Sequence, residues 1–459
     1  VIPERFVPLL DITRPLAEAF DTAGHELYLV GGVVRDALVV TEHQATDLDY
    51  TTNALPAQIK AILQPIASAI WTQGERFGTI GALIDGVKHE ITTFRADSYD
   101  PSSRKPQVTF GTNVLTDLSR RDFSINAIAL RLGDAPQLVD PYDGTADLLV
   151  HKRLRTPIDP AVSFGDDPLR MMRAARFVAR FGLTPDDALL VAVKEMADRL
   201  SIVSSERIRD ELDKLLVVAD CSPGLWFLVR TGLSDHFLPE LSKMEFTQDP
   251  IHNHKEVLSH TIAVVNNCEP ERILRLAALL HDIAKPKTYK IADHGVTFHH
   301  HDVEGARMAR SRLQKLKYST DDTDSIVRLV ELHLRFHTFK MGWSDSAVRR
   351  YVRDAGSELE RLNKLTRADC TTRNAAKAKQ LAVRMDELEA RIAVLNEAEE
   401  LASIRPQWDG ARVMAHFDIG PSKVVGEALD MLLEIRLDEG LLDDTVIAER
   451  LDTWWSMRE

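Results

Sequence analysis

Cysteine is scarce, with three in 459 residues, and Cys221, Cys268 and Cys370 lie far apart. That spacing excludes a zinc ribbon or a disulfide framework and fits a reducing cytoplasm. No run of 18 or more apolar residues occurs, so neither a membrane-spanning helix nor a membrane partner is expected. The start lacks a cationic stretch leading into an apolar core, so no secretory signal is expected, and because it opens on Val1 we expect residues ahead of it. Positive charge is short too: 57 Lys and Arg stand against 70 Asp and Glu, a net charge of −13. This argues against indiscriminate nucleic-acid binding, though not against a local basic surface, because steering depends on how charge is distributed. Internal repeats and low-complexity tracts are missing. What is there is ordinary globular composition, 44% apolar and 28% charged, in a chain long enough for two to four domains.

The most informative stretch runs from Leu29 to Tyr50. An apolar run ends in Gly31-Gly32, a short helical pattern carries Arg35 and Asp36, and Thr46-Asp47-Leu48-Asp49-Tyr50 follows. Residues i and i+2 of a strand face the same way, so Asp47 and Asp49 present two carboxylates side by side. Two such groups repel unless a cation sits between them, and hard divalent ions such as Mg²⁺ suit oxygen ligands. The glycines let the backbone approach closely, and the helix start behind them offers N–H groups to phosphate oxygens. The pattern is that of a site for Mg²⁺ and a nucleoside triphosphate.

Residues 13–24 read as an amphipathic helix and 54–69 as another. Residues 77–84 then alternate toward Asp85-Gly86, and 87–94 return, a strong hairpin signal. Glu90 on the return strand is a candidate third carboxylate. Residues 95–116, rich in Ser, Pro, Asp and basic residues, read as a long loop. Asp117–Leu130 (DLSRRDFSINAIAL) reads as a helix with Ile125, Ala129 and Leu130 on an apolar face and Arg120, Arg121, Asp122 and Asn126 as polar groups.

Between His151 and Arg180 seven Lys or Arg stand against three Asp, a cationic island in an acidic chain. Gly165-Asp166-Asp167-Pro168 reads as a helix start with acids in its first turn. Arg170, Arg173, Arg176 and Arg180 follow at spacings that put them on one helix face. Four arginines together are costly unless anions or water cover them. Ser204–Leu212 begins another helix, with Ile208, Leu212 and Leu215 inward and Glu206 and Arg207 as candidate braces from behind.

In the second half, histidine is concentrated: ten of the 16 lie between His252 and His337. Imidazoles there, with the carboxylates of Asp282, Asp302 and Asp369 near them in the chain, are metal-ligand types. His252, His254, His299 and His300 read as surface residues. Residues 379–398 carry a heptad-like seam two repeats long, better suited to a helix packed on the body than to a coiled coil.

GG-x-V-R-D followed by D-x-D resembles the nucleotidyltransferase superfamily, and in particular the bacterial-type (class II) CCA-adding tRNA nucleotidyltransferases and poly(A) polymerases. R-R-D-F-S-I-N-A looks almost identical to that family's R-R-D-F-T-I-N-A, with Ser124 for Thr. Asp166-Asp167-x-x-Arg170 resembles its nucleotide-selection motif, with Asp166 in place of Glu, and His260, His281-Asp282 and Asp369 match the order H…HD…D of the HD phosphohydrolases, which implies that they hold a metal, with His301 and His333 as candidates for a second metal position. The resemblance implies an α+β fold: a polymerase-beta-like head of mixed sheet and helices over 1–150, a helical neck over 151–245, an HD domain over 246–375 and a helical tail over 376–459 that grips tRNA. It implies that Asp47 and Asp49 hold Mg²⁺ and, with Glu90, are catalytic. Gly31, Gly32, Arg35, Arg121, Asp122, Asn126, Arg173 and Arg176 are implied to bind the nucleotide. Asp167 and Arg170 would read the base, and their chemistry suits it: a carboxylate accepts the exocyclic amine of cytosine or adenine and a guanidinium donates to the ring acceptors. The implied reaction is CCA addition to tRNA from CTP and ATP, with poly(A) addition or HD phosphohydrolysis as alternatives.

Overall fold

The computed structural model describes residues 2–39, 47–98, 107–111, 113–249, 254–292, 295–338, 343–370, 375–399 and 404–458. It divides into two compact units, Val1–Ser242 and Lys243–Glu459.

The first unit is built on a seven-stranded mixed sheet. Its strands are β1 (Leu27–Val30), β2 (Asp47–Thr52), β3 (Ala69–Trp71), β4 (Thr79–Ile84), β5 (Val87–Thr93), β8 (Ala129–Arg131) and β9 (Gln137–Val139), in the order β3-β4-β5-β2-β1-β8-β9. β2 and β5 run parallel, and every other neighbouring pair is antiparallel. The hairpin read at Asp85-Gly86 joins β4 to β5, with both turn residues at positive φ, 49° and 79°. That is the backbone a two-residue turn needs to match strand twist. Alternation then sorts the side chains. Leu48, Tyr50, Ile80, Ala82 and Ile91 are buried on one face, under α1 (Val7–Thr22) and α3 (Pro56–Leu63). Each such side chain contributes about 1.5–3 kcal/mol by leaving water. On the opposite face the β1–β8 end is covered by Leu118 of α4 (Val114–Ser119) with Phe94, Val30 and Ala129, whereas Asp49, Lys88 and Glu90 stay exposed.

Two readings need correction. Residues 95–116 are not loop throughout: β6 (Arg95–Ser98) and β7 (Gln107–Phe110) pair as a hairpin, residues 99–106 lying outside the described set. Residues 117–130 are not one helix. α4 stops at Ser119, Phe123 is extended, a single 3-10 turn spans Ser124–Asn126, and β8 follows. The alternation of Ala127 to Leu132 is satisfied by pairing β8 with β1, a long-range partner that outweighs local helical preference.

A helical bundle completes this unit. Pro160–Asp166, Leu169–Phe181, Asp187–Met196, Ser205–Leu216 and Ser222–Arg230 pack through Phe164, Met171, Phe177, Leu212, Leu225 and Leu228. Asp166 and Asp167 do not open the arginine helix as expected. Asp167 is extended (φ −142°, ψ 101°) and closes the preceding helix, because the ring of Pro168 drives the residue before it out of the α region. The second unit is mainly helical. Its helix Ala375–Glu399 turns Met385, Leu388 and Leu395 inward, and Trp408, Val413, Leu432 and Leu451 form a separate small core.

Candidate active site and metal centre

The acidic row sits in mid-sheet. Asp49 pairs in register with Glu90 on one side and with Val30 on the other, and Gly31 follows Val30. Asp47 is two residues earlier in the same strand; its side chain lies outside the described residues. Gly31 takes φ 79°, and a Cβ there would lie 3.6 Å from Asp49 Oδ2 and 3.8 Å from Arg121 Nη1. A carboxylate and a guanidinium thus converge on a turn that only glycine fits without strain. Gly32 begins the helix Gly32–Val39. Asp49 and Glu90, with Trp71 and Lys88, line an open cleft of roughly 620 Å³. Exposed carboxylates on adjacent strands form a donor set that suits a hard divalent cation.

Behind this row the polar residues are wired together. Asp117, fully buried, takes Arg120 at 2.8 Å and Arg121 at 3.2 Å. Burial alone would raise its pKa, but the charges of Arg121 and Arg120 hold it below the ordinary value. Asp122 accepts from Asn126 Nδ2 at 2.8 Å and from Arg173 Nε at 2.7 Å. Its carboxyl is pushed up by burial and pulled down further by Arg173, Asn126 and Arg170, ending at about 2. Arg35 is buried and donates to Asp36 at 2.8 Å and to Asn126, with the Phe181 ring 4.7 Å from its guanidinium carbon. Its charge is therefore spent inside, holding Asn126 in place.

The arginine face is covered from within the protein. Arg170 donates to Ser163 Oγ at 2.7 Å and to the Arg120 carbonyl. Arg176 donates to Glu211 at 2.8 Å, Arg173 lies 3.8 Å from the same carboxylate, and Arg180 reaches Asp36 at 3.0 Å. Asp167 Oδ2 accepts from Arg207 at 2.8 Å while its Oδ1 accepts the Leu169 N–H at 3.2 Å. Glu211 was missed in the sequence. It falls on the inward side of its helix beside Ile208 and Leu212, and a carboxylate at a core position was the available signal. Asp147, fully buried with Arg153 and Arg155 both at 2.7 Å, was missed as well.

In the second unit the metal-ligand candidates come from the ends of separate helices. His260 lies in Val257–Asn267, His281-Asp282 follow Arg272–Leu280, His301 opens His301–Lys315, His333 closes Thr320–Leu332 and Asp369 ends Leu359–Asp369. They form two trios, His260, His281, Asp369 and Asp282, His301, His333, each with its ligand atoms within 4.8 Å of one another. His260 Nε2 is 2.9 Å from Asp369, and His281 and His301 Nε2 lie 3.1 Å and 3.5 Å from Asp282. The Nδ1 atoms of His281, His301 and His333 lie 2.7, 2.8 and 2.6 Å from the carbonyls of Ala278, Phe298 and Val330. Those bonds leave each Nε2 buried without a hydrogen-bond partner. Backbone bonds that fix one ring nitrogen and leave the other pointing inward are what metal-binding histidines require. Burial pushes His333 down to about 4, so its ring is neutral and able to donate its lone pair. Asp282 stays ionised well below its usual range, since the charges of His281 and Lys285 outweigh its burial. Lys285 is 2.7 Å away. His299 and His300 are exposed, His252 and His294 lie outside the described residues, and so does the side chain of His254.

A sheet bearing carboxylates beside a glycine turn, with a separate histidine–aspartate cluster, agrees with the comparisons to known proteins. Residues 27–155 match the Poly A polymerase head domain, 182–244 the Probable RNA and SrmB- binding site of polymerase A, and 256–395 the HD domain. The chain is 32% identical over 423 residues to the A-adding tRNA nucleotidyltransferase of Deinococcus radiodurans, covering 89% of this chain and 91% of that one. It is 39% identical over 233 residues to the CCA-adding enzyme of Limosilactobacillus reuteri, covering 50% of this chain, and so spans about half (55%) of the length of that relative. Among solved structures, the Bacillus stearothermophilus CCA-adding enzyme in complex with CTP is similar at TM-score 0.70 and 22% identity, over 100% and 99% of the two chains. The Thermotoga maritima CCA-adding enzyme complexed with tRNA_CCA follows at TM-score 0.62 and 18% identity, over 98% and 96%. The chain belongs to the bacterial-type (class II) CCA-adding tRNA nucleotidyltransferase and poly(A) polymerase family, and it carries an HD domain. No helix among the described residues is long and apolar enough to cross a membrane.

Proposed function

We propose that this chain adds CCA to the 3′ end of tRNA from CTP and ATP without a template, in the cytoplasm. The observation that carries this reading is the convergence of Asp49, Gly31 and Arg121 beside Glu90. Asp47, Asp49 and Glu90 would hold Mg²⁺, which when bound lowers the pKa of the RNA 3′-hydroxyl and offsets charge on the departing pyrophosphate. The residues around it bind and orient. Gly31, Gly32 and Arg121 receive the triphosphate, Arg35, Asp122 and Asn126 brace that pocket, and Arg173 and Arg176 lie nearer the phosphates. Asp167 and Arg170 select the base. Their fixed anchors on Arg207 and Ser163 support this role, since a reader of hydrogen bonds must be held still to reject uracil and guanine. A tRNA ending at its discriminator base, given CTP and ATP, should gain two C and one A, with UTP and GTP unused.

One observation favours a second reading, addition of A alone: the relative matched along nearly its full length is named for A addition. A tRNA already ending in CC separates the two. An A-only enzyme extends it with ATP and leaves the shorter tRNA untouched with CTP.

For the second unit we propose a divalent ion held by His260, His281, Asp282 and Asp369, with His301 and His333 completing a second position. Its three orphaned imidazole nitrogens support the fit. Such an ion supplies activated water and a polarised phosphoryl oxygen for phosphoester hydrolysis. We assign 1–150, 151–245, 246–375 and 376–459 to head, neck, HD domain and tail. Residues 404–458 hold eleven Asp and Glu against six Lys and Arg, so a tail that grips tRNA would do so by shape and ring contacts more than by bulk charge.

A further inference from the structure

Trp71 lies outside the nucleotide-binding groups yet shares their sheet face. It pairs in register with Gly81, Gly81 with Glu90, and Glu90 with Asp49. Four neighbouring strands therefore carry an indole, a gap and two carboxylates in a single row. The gap is real: a Cβ on Gly81 would stand 1.9 Å from Trp71 Nε1 and 2.1 Å from Cε2, so the indole rests directly on the glycine backbone. Trp71 is partly exposed and lines the cleft together with Asp49, Lys88 and Glu90. Lys88, two residues before Glu90 on the same strand, is exposed on the same face.

We propose that Trp71 is the shelf on which the base at the RNA 3′ end stacks, with Lys88 holding a phosphate of that strand. This rests on Asp49 and Glu90 being the catalytic carboxylates. In-line displacement puts the attacking hydroxyl and the departing pyrophosphate on opposite sides of the α-phosphate. The triphosphate groups, Gly31 and Arg121, lie on the β1 side of Asp49, so the attacking strand must arrive over β5, β4 and β3. Strands are spaced by about 4.8 Å, which sets Trp71, two strands beyond Glu90, about 10 Å from it. One nucleotide spans that distance. An unpaired base has a flat face with no sequence requirement, and a partly exposed indole is a side chain suited to it. Among the described residues the face is open on this side, whereas the β1–β8 end is filled by Leu118 and Phe94.

The test uses the full chain and a tRNA lacking its end, with 2-aminopurine as the 3′-terminal base. Stacking on Trp71 quenches that fluorophore. Trp71→Ala should abolish the Trp71-dependent quenching and raise KM for tRNA about tenfold, with the effect on KM and not on kcat. CTP affinity measured without RNA should stay within about twofold. Trp71→Phe should keep most of both signals. Gly81→Ala, which drives the indole off its seat, should reproduce Trp71→Ala with the tryptophan still present. Unchanged quenching and KM in Trp71→Ala would overturn the proposal, as would equal loss of CTP binding in the Ala and Phe variants, which marks a structural role. If the wild-type protein extends no RNA, it is the catalytic reading that fails, and the quenching comparison still decides where the RNA end lies.

Discussion

The two candidate metal sites are opposites in construction. In the sheet, Asp49 and Glu90 are exposed on neighbouring strands and face an open cleft. In the helical unit, His281, Asp282, His301 and His333 are buried, and three imidazoles are pinned by backbone carbonyls. An open carboxylate row costs the fold little and would let an ion arrive and leave with each nucleotide. A buried cluster with unpartnered nitrogens costs stability until something fills it. The first arrangement suits turnover; the second suits a resident ion.

The largest effect that would break this contrast is at Asp49. Asp49→Ala should cut RNA extension roughly a thousandfold, the scale of losing metal-assisted charge stabilisation, with metal content of the histidine cluster unchanged by elemental analysis. Next is metal at the cluster. Saturation at about a thousand times Kd should stabilise the fold by about 4 kcal/mol, read as a rise in the unfolding temperature that a chelator reverses and His281→Ala removes. A rise that survives His281→Ala would place the resident ion elsewhere.

Acid sensitivity sharpens the contrast inside the first unit. Asp122 titrates at about 2 in the fold, below its ordinary value, because Arg173 and Asn126 outweigh its burial. Its contribution is whole above about pH 4 and is lost as the pH falls through about 2, and is worth on the order of 2 kcal/mol. Asp122→Asn should flatten that part of the stability profile in urea titrations at stepped pH. The smallest effect concerns Glu211, which touches no nucleotide in the proposed site but anchors Arg173 and Arg176. Glu211→Gln should lower kcat/KM for CTP and for ATP about tenfold, the loss of one charge-assisted hydrogen bond. A change in one nucleotide only would assign Glu211 a role in base choice.

The sequence exposed chemistry better than geometry. The two-residue spacing of Asp47 and Asp49 and the Asp-Gly hairpin needed only local rules, whereas the histidine and aspartate set was grouped by its resemblance to the HD order. What it concealed depended on distant partners. Ala129 and Leu130 belong to a strand because β1 is there to receive them. Asp167 closes a helix because Pro168 follows, a local rule that the acids around it masked. One anion that covers the arginine face, Glu211, lies 35 residues after Arg176 and is visible only once two helices pack. Trp71 gains meaning from a register across four strands that no window of sequence contains.

The most direct measurement is incorporation of labelled CTP into a tRNA lacking its end, by the intact chain and by Asp49→Ala and His281→Ala. If the exposed row performs nucleotide transfer and the buried cluster serves another purpose, the first variant is silent and the second labels tRNA at close to the parental rate. Label incorporated by Asp49→Ala, or abolished by His281→Ala in a folded protein, would contradict that division of labour.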